Sequence, residues 1–72
     1  ASQYNLARLY ERGAQGVEPD LTKAYQWYLV AGRQGDAGAE EAAARLRTEL
    51  PASLRLVAEA EADRLQALAQ QG

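Results

Sequence analysis

Along the chain, apolar residues recur at spacings of three and four and nowhere alternate with period two, so the pattern predicts helices and no strand. In residues 2–12, Leu6, Leu9 and Tyr10 fall on one stripe of a first amphipathic helix. Gly13 and Gly16 stop it, Gly13 standing just past the last periodic residue, where glycine enters the left-handed backbone conformation most easily. Beyond Pro19, Asp20 reads as the N-cap of a second helix beginning at Leu21, because its carboxylate can accept from a free N–H of the first turn. Ala24, Trp27, Tyr28 and Ala31 share one face there, and Gly32 and Gly35 end the helix. Asp36 repeats the capping role for a third helix, whose stripe is Ala39, Ala42, Ala43, Leu46 and Leu50 and whose first turn places Glu40 and Glu41 near the positive end of the dipole. Pro51 suits a first helical position, which starts a fourth helix running to about Gln70 with Leu50, Leu54, Val57, Ala58, Leu65 and Leu68 as its stripe. Short loops make consecutive helices antiparallel, so the expectation is an all-α architecture of about four helices stacked in order, each burying its stripe against the next.

An all-helical chain invites a test for internal repeats, because a period of roughly 34–40 residues marks solenoid architectures. Displacing the chain on itself by about 37 residues pairs Ser2 with Ala39, Leu6 with Ala43 and Ala7 with Ala44, after which the match decays at Tyr10 and Arg47. One full repeat is thus followed by a degenerate one. The residues Ser2, Leu6, Tyr10, Gly13, Gly16, Val17, Asp20, Lys23, Ala24, Trp27, Tyr28, Ala31, Gly32, Gly35 and Ala39 stand in an order and spacing that resembles a Sel1-like repeat, a relative of the tetratricopeptide repeat with a longer connection between its helices. Ala7 departs from that pattern, which usually has glycine there, and suggests slightly wider helix packing. The resemblance is strong over residues 2–44 and weak in the Ala/Arg/Leu-rich remainder, which resembles the closing segment that follows the last repeat in bacterial members. It implies an α-α superhelix, with residues 1–38 a complete repeat of two antiparallel helices and residues 39–72 a degenerate repeat helix plus a C-terminal capping helix, together one domain. Starting at Ala1 and lacking methionine, the chain is expected to be a fragment of a longer array.

Physical roles follow for the same residues. Small side chains at Ala24, Ala31 and Ala39 permit close helix approach, and Leu6, Tyr10, Trp27 and Tyr28 supply the large buried area that alanine cannot. A domain of 72 residues is near the size where burial becomes marginal, so an indole at the centre of the core would be indispensable.

Composition narrows the function classes. With eight Lys+Arg against ten Asp+Glu interspersed along the chain, nucleic acid and anionic membrane surfaces are poor partners. The longest strictly apolar run, Trp27 to Ala31, is far too short to span a bilayer, and the N-terminus has no signal-peptide pattern. Cysteine and histidine are absent, which removes disulfides, thiolate nucleophiles, catalytic triads and the usual transition-metal sites. The glycine pairs Gly13/Gly16 and Gly32/Gly35 neither follow a strand nor end in Gly-Lys-Ser/Thr, so they read as helix terminators and not as a phosphate loop. Neighbouring carboxylates at Glu40/Glu41 and Glu59/Glu61 do not face one another, and Glu41 is expected to pair with Arg45 one turn on. Glu61, which interrupts the last stripe, is explained by an ion pair with Arg64, by a tilted helix edge or by a partner chain. No enzyme and no cofactor is expected.

What remains is a binding surface, since repeat stacks use helix faces to line grooves. Tyr4, Arg8 and Glu11 lie opposite Leu6 and Leu9 and are expected to face either a preceding repeat or a partner; Tyr25 and Leu29 form an apolar pair off the main stripe of the second helix, either at the edge of the core or in contact with a partner. The resemblance implies a scaffold or adaptor that binds a protein or peptide in a helix-lined groove, in a bacterial signalling or cell-envelope assembly, periplasmic or cytoplasmic. Two alternatives stand beside it: self-association through the heptad-like row Leu54, Val57, Glu61, Arg64 and Leu68, which two charges weaken, and an accessory domain on a larger enzyme.

Overall fold

The computed structural model describes the backbone of residues 2–71 and the side chains of residues 3–68. Four helices follow one another: α1 (Ser2–Arg12), α2 (Leu21–Arg33), α3 (Ala37–Glu49) and α4 (Ala52–Gln71). The all-α class and the helix count agree with the sequence pattern, and among the described residues the one β-type pairing is an isolated bridge between Ala14 and Val17 inside the first connection. The small residue expected at Ser2 lies outside the described side chains.

Both predicted N-caps form. Asp20 accepts from the Lys23 N–H and Asp36 from the Ala39 N–H, each at 3.1 Å, which fixes where α2 and α3 start. Gly13 ends α1 with φ +77°, and its N–H donates to Leu9 at 2.7 Å. No other residue fits there, because a Cβ would lie 2.9 Å from the Pro19 ring. Asp20 N–H donates to the Tyr10 carbonyl at 2.7 Å, so the connection folds back on the end of α1.

Gly32 plays a different part from the one expected. It lies inside α2, not after it, and it is Gly35, at φ +101°, that turns the chain toward α3. At Gly32 a Cβ would meet Glu40 at 2.8 Å from Cγ and 3.2 Å from the backbone N. Its role is to let α3 approach α2 closely.

The packing departs from a simple stack. α2 touches α1, α3 and α4, whereas α3 and α4, consecutive in the chain, share little interface. Tyr10 neighbours Lys23 and Tyr4 neighbours Tyr28, so α1 is antiparallel to α2. Tyr25 bonds Glu59 while Arg33 bonds Asp63 and Gln66, so α4 runs in the same sense as α2. The expectation that each helix buries its stripe against the next therefore fails at α4.

Being surrounded, α2 is buried on more than one face: Ala24, Tyr25, Tyr28, Val30, Ala31 and Gly32 are all inside. Tyr25, Tyr28 and Leu46 are the largest fully buried side chains, and Trp27 is only half-buried at the edge of the cluster. The indole expected at the centre is thus displaced by two phenols. On α1 the inward face is Tyr4, Ala7 and Tyr10, with Ala7 fully buried, Leu6 half-buried and Leu9 43% exposed. α3 buries Ala39, Ala42, Ala43 and Leu46 as predicted, and Leu50 is half-buried. α4 presents Ala58, as predicted, and Ala62 to the protein, with Leu65 half-buried, whereas Leu54, Val57 and Leu68 of its predicted stripe are exposed.

Replacing a helical glycine by alanine ordinarily gains about 1 kcal/mol. For Gly32→Ala the added Cβ would crowd both Cγ and the backbone of Glu40, and a loss of about 1–3 kcal/mol is expected, read by urea denaturation followed by far-UV circular dichroism. A stabilised variant would show that α2 and α3 do not approach so closely.

Candidate functional site

The polar side chains of the interior are organised by the two buried tyrosines of α2. Tyr28 donates its hydroxyl to Glu11 Oε1 at 2.7 Å, and Arg45 Nη2 donates to Glu11 Oε2 at 2.7 Å, so one carboxylate of α1 ties α2 and α3 together. The Tyr4 ring meets the Tyr28 ring edge-on, 5.6 Å between centroids at 61°, and the Arg8 guanidinium lies 5.9 Å from the Tyr4 centroid. On the other side of α2, Tyr25 donates to Glu59 Oε2 at 2.8 Å, with Arg55 Nε 3.9 Å from the same oxygen. Arg33 links the end of α2 to Asp63 and Gln66 of α4.

These bonds set the titration of the groups involved. Burial, reinforced by the hydrogen bond to Glu59, pushes the Tyr25 phenol up to about 12. Burial and the hydrogen bond to Glu11 push Tyr28 up as well. Partial burial opposes the charge on Glu11, but the hydrogen bonds from Tyr28 and Arg45 and the attraction of Arg45 and Arg12 outweigh it, leaving the carboxyl below its ordinary value. Among the described residues every buried side-chain polar atom has a partner, and no group of three or more carboxylates comes together. The tyrosine shifts thus come first from burial and then from the clamping of each phenol to a carboxylate.

Of the five residues that are candidates for contact with a partner, three are turned inward. Tyr4 packs on Tyr28, Glu11 is held by Tyr28 and Arg45, and Tyr25 is 2% exposed because α4 covers it. α1 is rotated relative to the expected stripe because Tyr4 offers more area than Leu9, and because Glu11 finds two donors inside. Arg8 stays at the surface, in a shallow hollow with Asn5, Leu9 and Arg12. Leu29 lines a second depression, of about 270 Å³, between α2 and α3. Tyr25, Tyr28 and Ala43 form the floor of that groove; Arg33 and Glu40 stand at one end and Arg47 with Ala44 at the other. Arg47 makes no ion pair among the described residues. The sequence held a signal for it, since the positions three and four residues away are Ala43, Ala44, Leu50 and Pro51, none of them acidic. Two smaller expectations are settled too: Glu61 pairs with Arg64 at 2.8 Å, whereas Arg45 bonds Glu11 and neighbours Glu49 and leaves Glu41 aside.

Helices in an antiparallel pair, a third helix against the second and a fourth in register with it define a superhelical repeat protein of the tetratricopeptide-like kind. Within that class the family model for the Sel1 repeat matches residues 1–36, half of the chain. The chain belongs to the Sel1 repeat family, whose repeats are non-enzymatic and generally mediate protein–protein interaction. Comparison with curated proteins and with solved structures gives no match. Among the described residues no helix is long and apolar enough to cross a membrane.

The clamp has a pH signature. Because the Glu11 carboxyl is depressed in the fold, its contribution to stability is complete above the unfolded value near 4.5 and is lost as pH falls through the lower folded value. Raised phenols behave oppositely: the Tyr25 contribution is complete below pH 10 and disappears as pH rises toward about 12. Denaturation midpoints measured from pH 2 to 12 should fall at both ends, and Glu11→Gln should flatten the acid limb while leaving much of the alkaline one. An acid limb unchanged by Glu11→Gln would place the responsible carboxylate elsewhere.

Proposed function

We propose that this chain is a protein-interaction module whose docking site is the groove between α2 and α3, and that its partner is a protein segment presenting an apolar side chain beside a carboxylate. The observation that carries this reading is Arg47, unpaired at one end of a depression with an apolar floor. At about 270 Å³ the groove lies below the roughly 300–1,000 Å³ of common small-molecule sites, which suits one or two side chains of a peptide better than a whole cofactor. Leu29 and Ala44 give the apolar contact, and the clamped tyrosines beneath them hold the floor rigid, so little ordering entropy is lost on the protein side.

Residues 1–38 as the complete repeat and 39–72 as its degenerate continuation with a cap fit this reading, because the groove then forms where one repeat meets the next. A bacterial signalling or envelope assembly is the setting suggested by the family resemblance of the Ala/Arg-rich closing segment. The hollow on α1 with Arg8 and Arg12 supports a second contact for the same partner or for a neighbouring repeat.

Selection of peptides on the 72-residue chain followed by chemical-shift mapping tests the assignment. Bound peptides should carry an acidic residue next to an apolar one and shift the amides of Leu29, Ala44 and Arg47. Arg47→Glu should weaken binding at least about tenfold, or ~1.4 kcal/mol, with the thermal midpoint unchanged. Binders that shift only α1, or that ignore Arg47→Glu, would overturn the choice of groove.

A further inference from the structure

α4 is 20 residues long, about 30 Å, yet it meets the rest of the protein largely through the small residues Ala58 and Ala62. Its outward flank carries Leu54, Val57, Glu61, Arg64 and Leu68, at alternating spacings of three and four. Leu54, Val57 and Leu68 are 42%, 57% and 54% exposed. Beside this row run Ser53, Ala60 and Ala67, exposed and small, at seven-residue intervals. The row is therefore a heptad seam with Leu54, Glu61 and Leu68 in one core position and Val57 and Arg64 in the other, bordered on its outer side by residues that allow a second helix to come close and on its inner side by Ala58 and Leu65, which pack toward the protein.

The two charges decide what covers it. Glu61 and Arg64 bond each other at 2.8 Å and remain 42% and 62% exposed, so both are free to exchange partners. In a parallel pair of α4 helices, equivalent positions meet, which sets Glu61 against Glu61 and Arg64 against Arg64. In an antiparallel pair the two core positions meet each other instead, and one register places Glu61 of each copy opposite Arg64 of the other while Val57 of each meets Leu68 of the other. The same two charges that weaken a simple coiled-coil seam thereby become complementary in this single arrangement, and they discourage slippage and the parallel alternative. We propose that the outer face of α4 is a self-association surface, in which two copies of the chain pair through antiparallel α4 helices with reciprocal Glu61–Arg64 contacts. No residue of α4 lines the groove between α2 and α3, so this surface is independent of the partner reading.

The seam is short compared with the interfaces of permanent dimers, and the association should depend on concentration. Sedimentation equilibrium of the 72-residue chain should give a mass rising toward that of two chains between micromolar and about 1 mM. Glu61→Arg and Arg64→Glu, each alone, place like charges across the seam and should raise the midpoint at least tenfold, whereas an equimolar mixture of the two variants should associate as well as the wild type, because their charges are complementary only across chains. Val57→Asp should leave the chain monomeric with its helical circular dichroism intact. A wild-type chain that stays monomeric to about 1 mM would overturn the proposal. So would a dimer indifferent to both charge reversals, or a mixture that fails to recover.

Discussion

The architecture depends on how α2 disposes of two phenol hydroxyls that it cannot leave in an apolar interior. A hydroxyl taken from water without a partner costs on the order of 1–3 kcal/mol in proteins, a large part of the stability of a 72-residue domain. Tyr28 and Tyr25 escape that penalty by reaching opposite ways, to Glu11 on α1 and to Glu59 on α4. Each bond has an ionised acceptor, which makes it stronger than a neutral pair, and each specifies one geometry where alanine-rich contacts would tolerate several. Arg45 completes the first clamp from α3, so all three neighbours of α2 are positioned, directly or through Glu11, by its tyrosines.

Close approach is the condition that lets those bonds form. The phenol of a tyrosine reaches a carboxylate on the next helix only if the backbones are near, and the residues at the contacts are Ala7, Ala24, Ala31, Ala39, Ala58 and Ala62, with Gly32 admitting Glu40. Alanine contributes little area of its own. Large side chains flanked by small ones thus divide the work: Tyr4, Tyr25, Tyr28 and Leu46 supply burial, and the small residues supply proximity.

This division explains which parts of the structure were legible in the sequence. Helix class, order and starts were readable because Asp20, Asp36, Gly13 and Gly35 act locally, through caps and left-handed turns that need no knowledge of the fold. The stripe of α3 was readable as well, since that helix buries a single face. Legibility stopped where facing depends on tertiary partners. Periodicity assigns Ala58 correctly but also places Leu54, Val57 and Leu68 on the buried stripe of α4 and Tyr25 at the edge of the core or against a partner, whereas α4 crosses onto α2 with Ala58 and Ala62 and seals Tyr25 beneath it. Likewise Glu11 looked like a surface charge, because nothing on α1 reveals a phenol and a guanidinium arriving from α2 and α3. The family resemblance located the repeat, yet it did not distinguish Trp27, half-buried, from Tyr25, fully inside.

A helix enclosed on three sides also determines where recognition can occur. With α2 committed to the interior, contact surfaces must come from the seams between α2 and its neighbours or from the outer faces of those neighbours. The seam between α2 and α3 retains a depression because Ala43 and Ala44 are too small to fill the space beside Leu29, and the polar ends of that depression are set by Arg33, Glu40 and Arg47. The outer face of α4 keeps Leu54, Val57 and Leu68 beside its charges because the inward face needs little more than alanines once Tyr25, Arg33 and their carboxylate partners hold the helix in place. Economy of apolar area in the interior thus leaves leucine and valine over for the exterior, which is where a helical repeat makes its contacts.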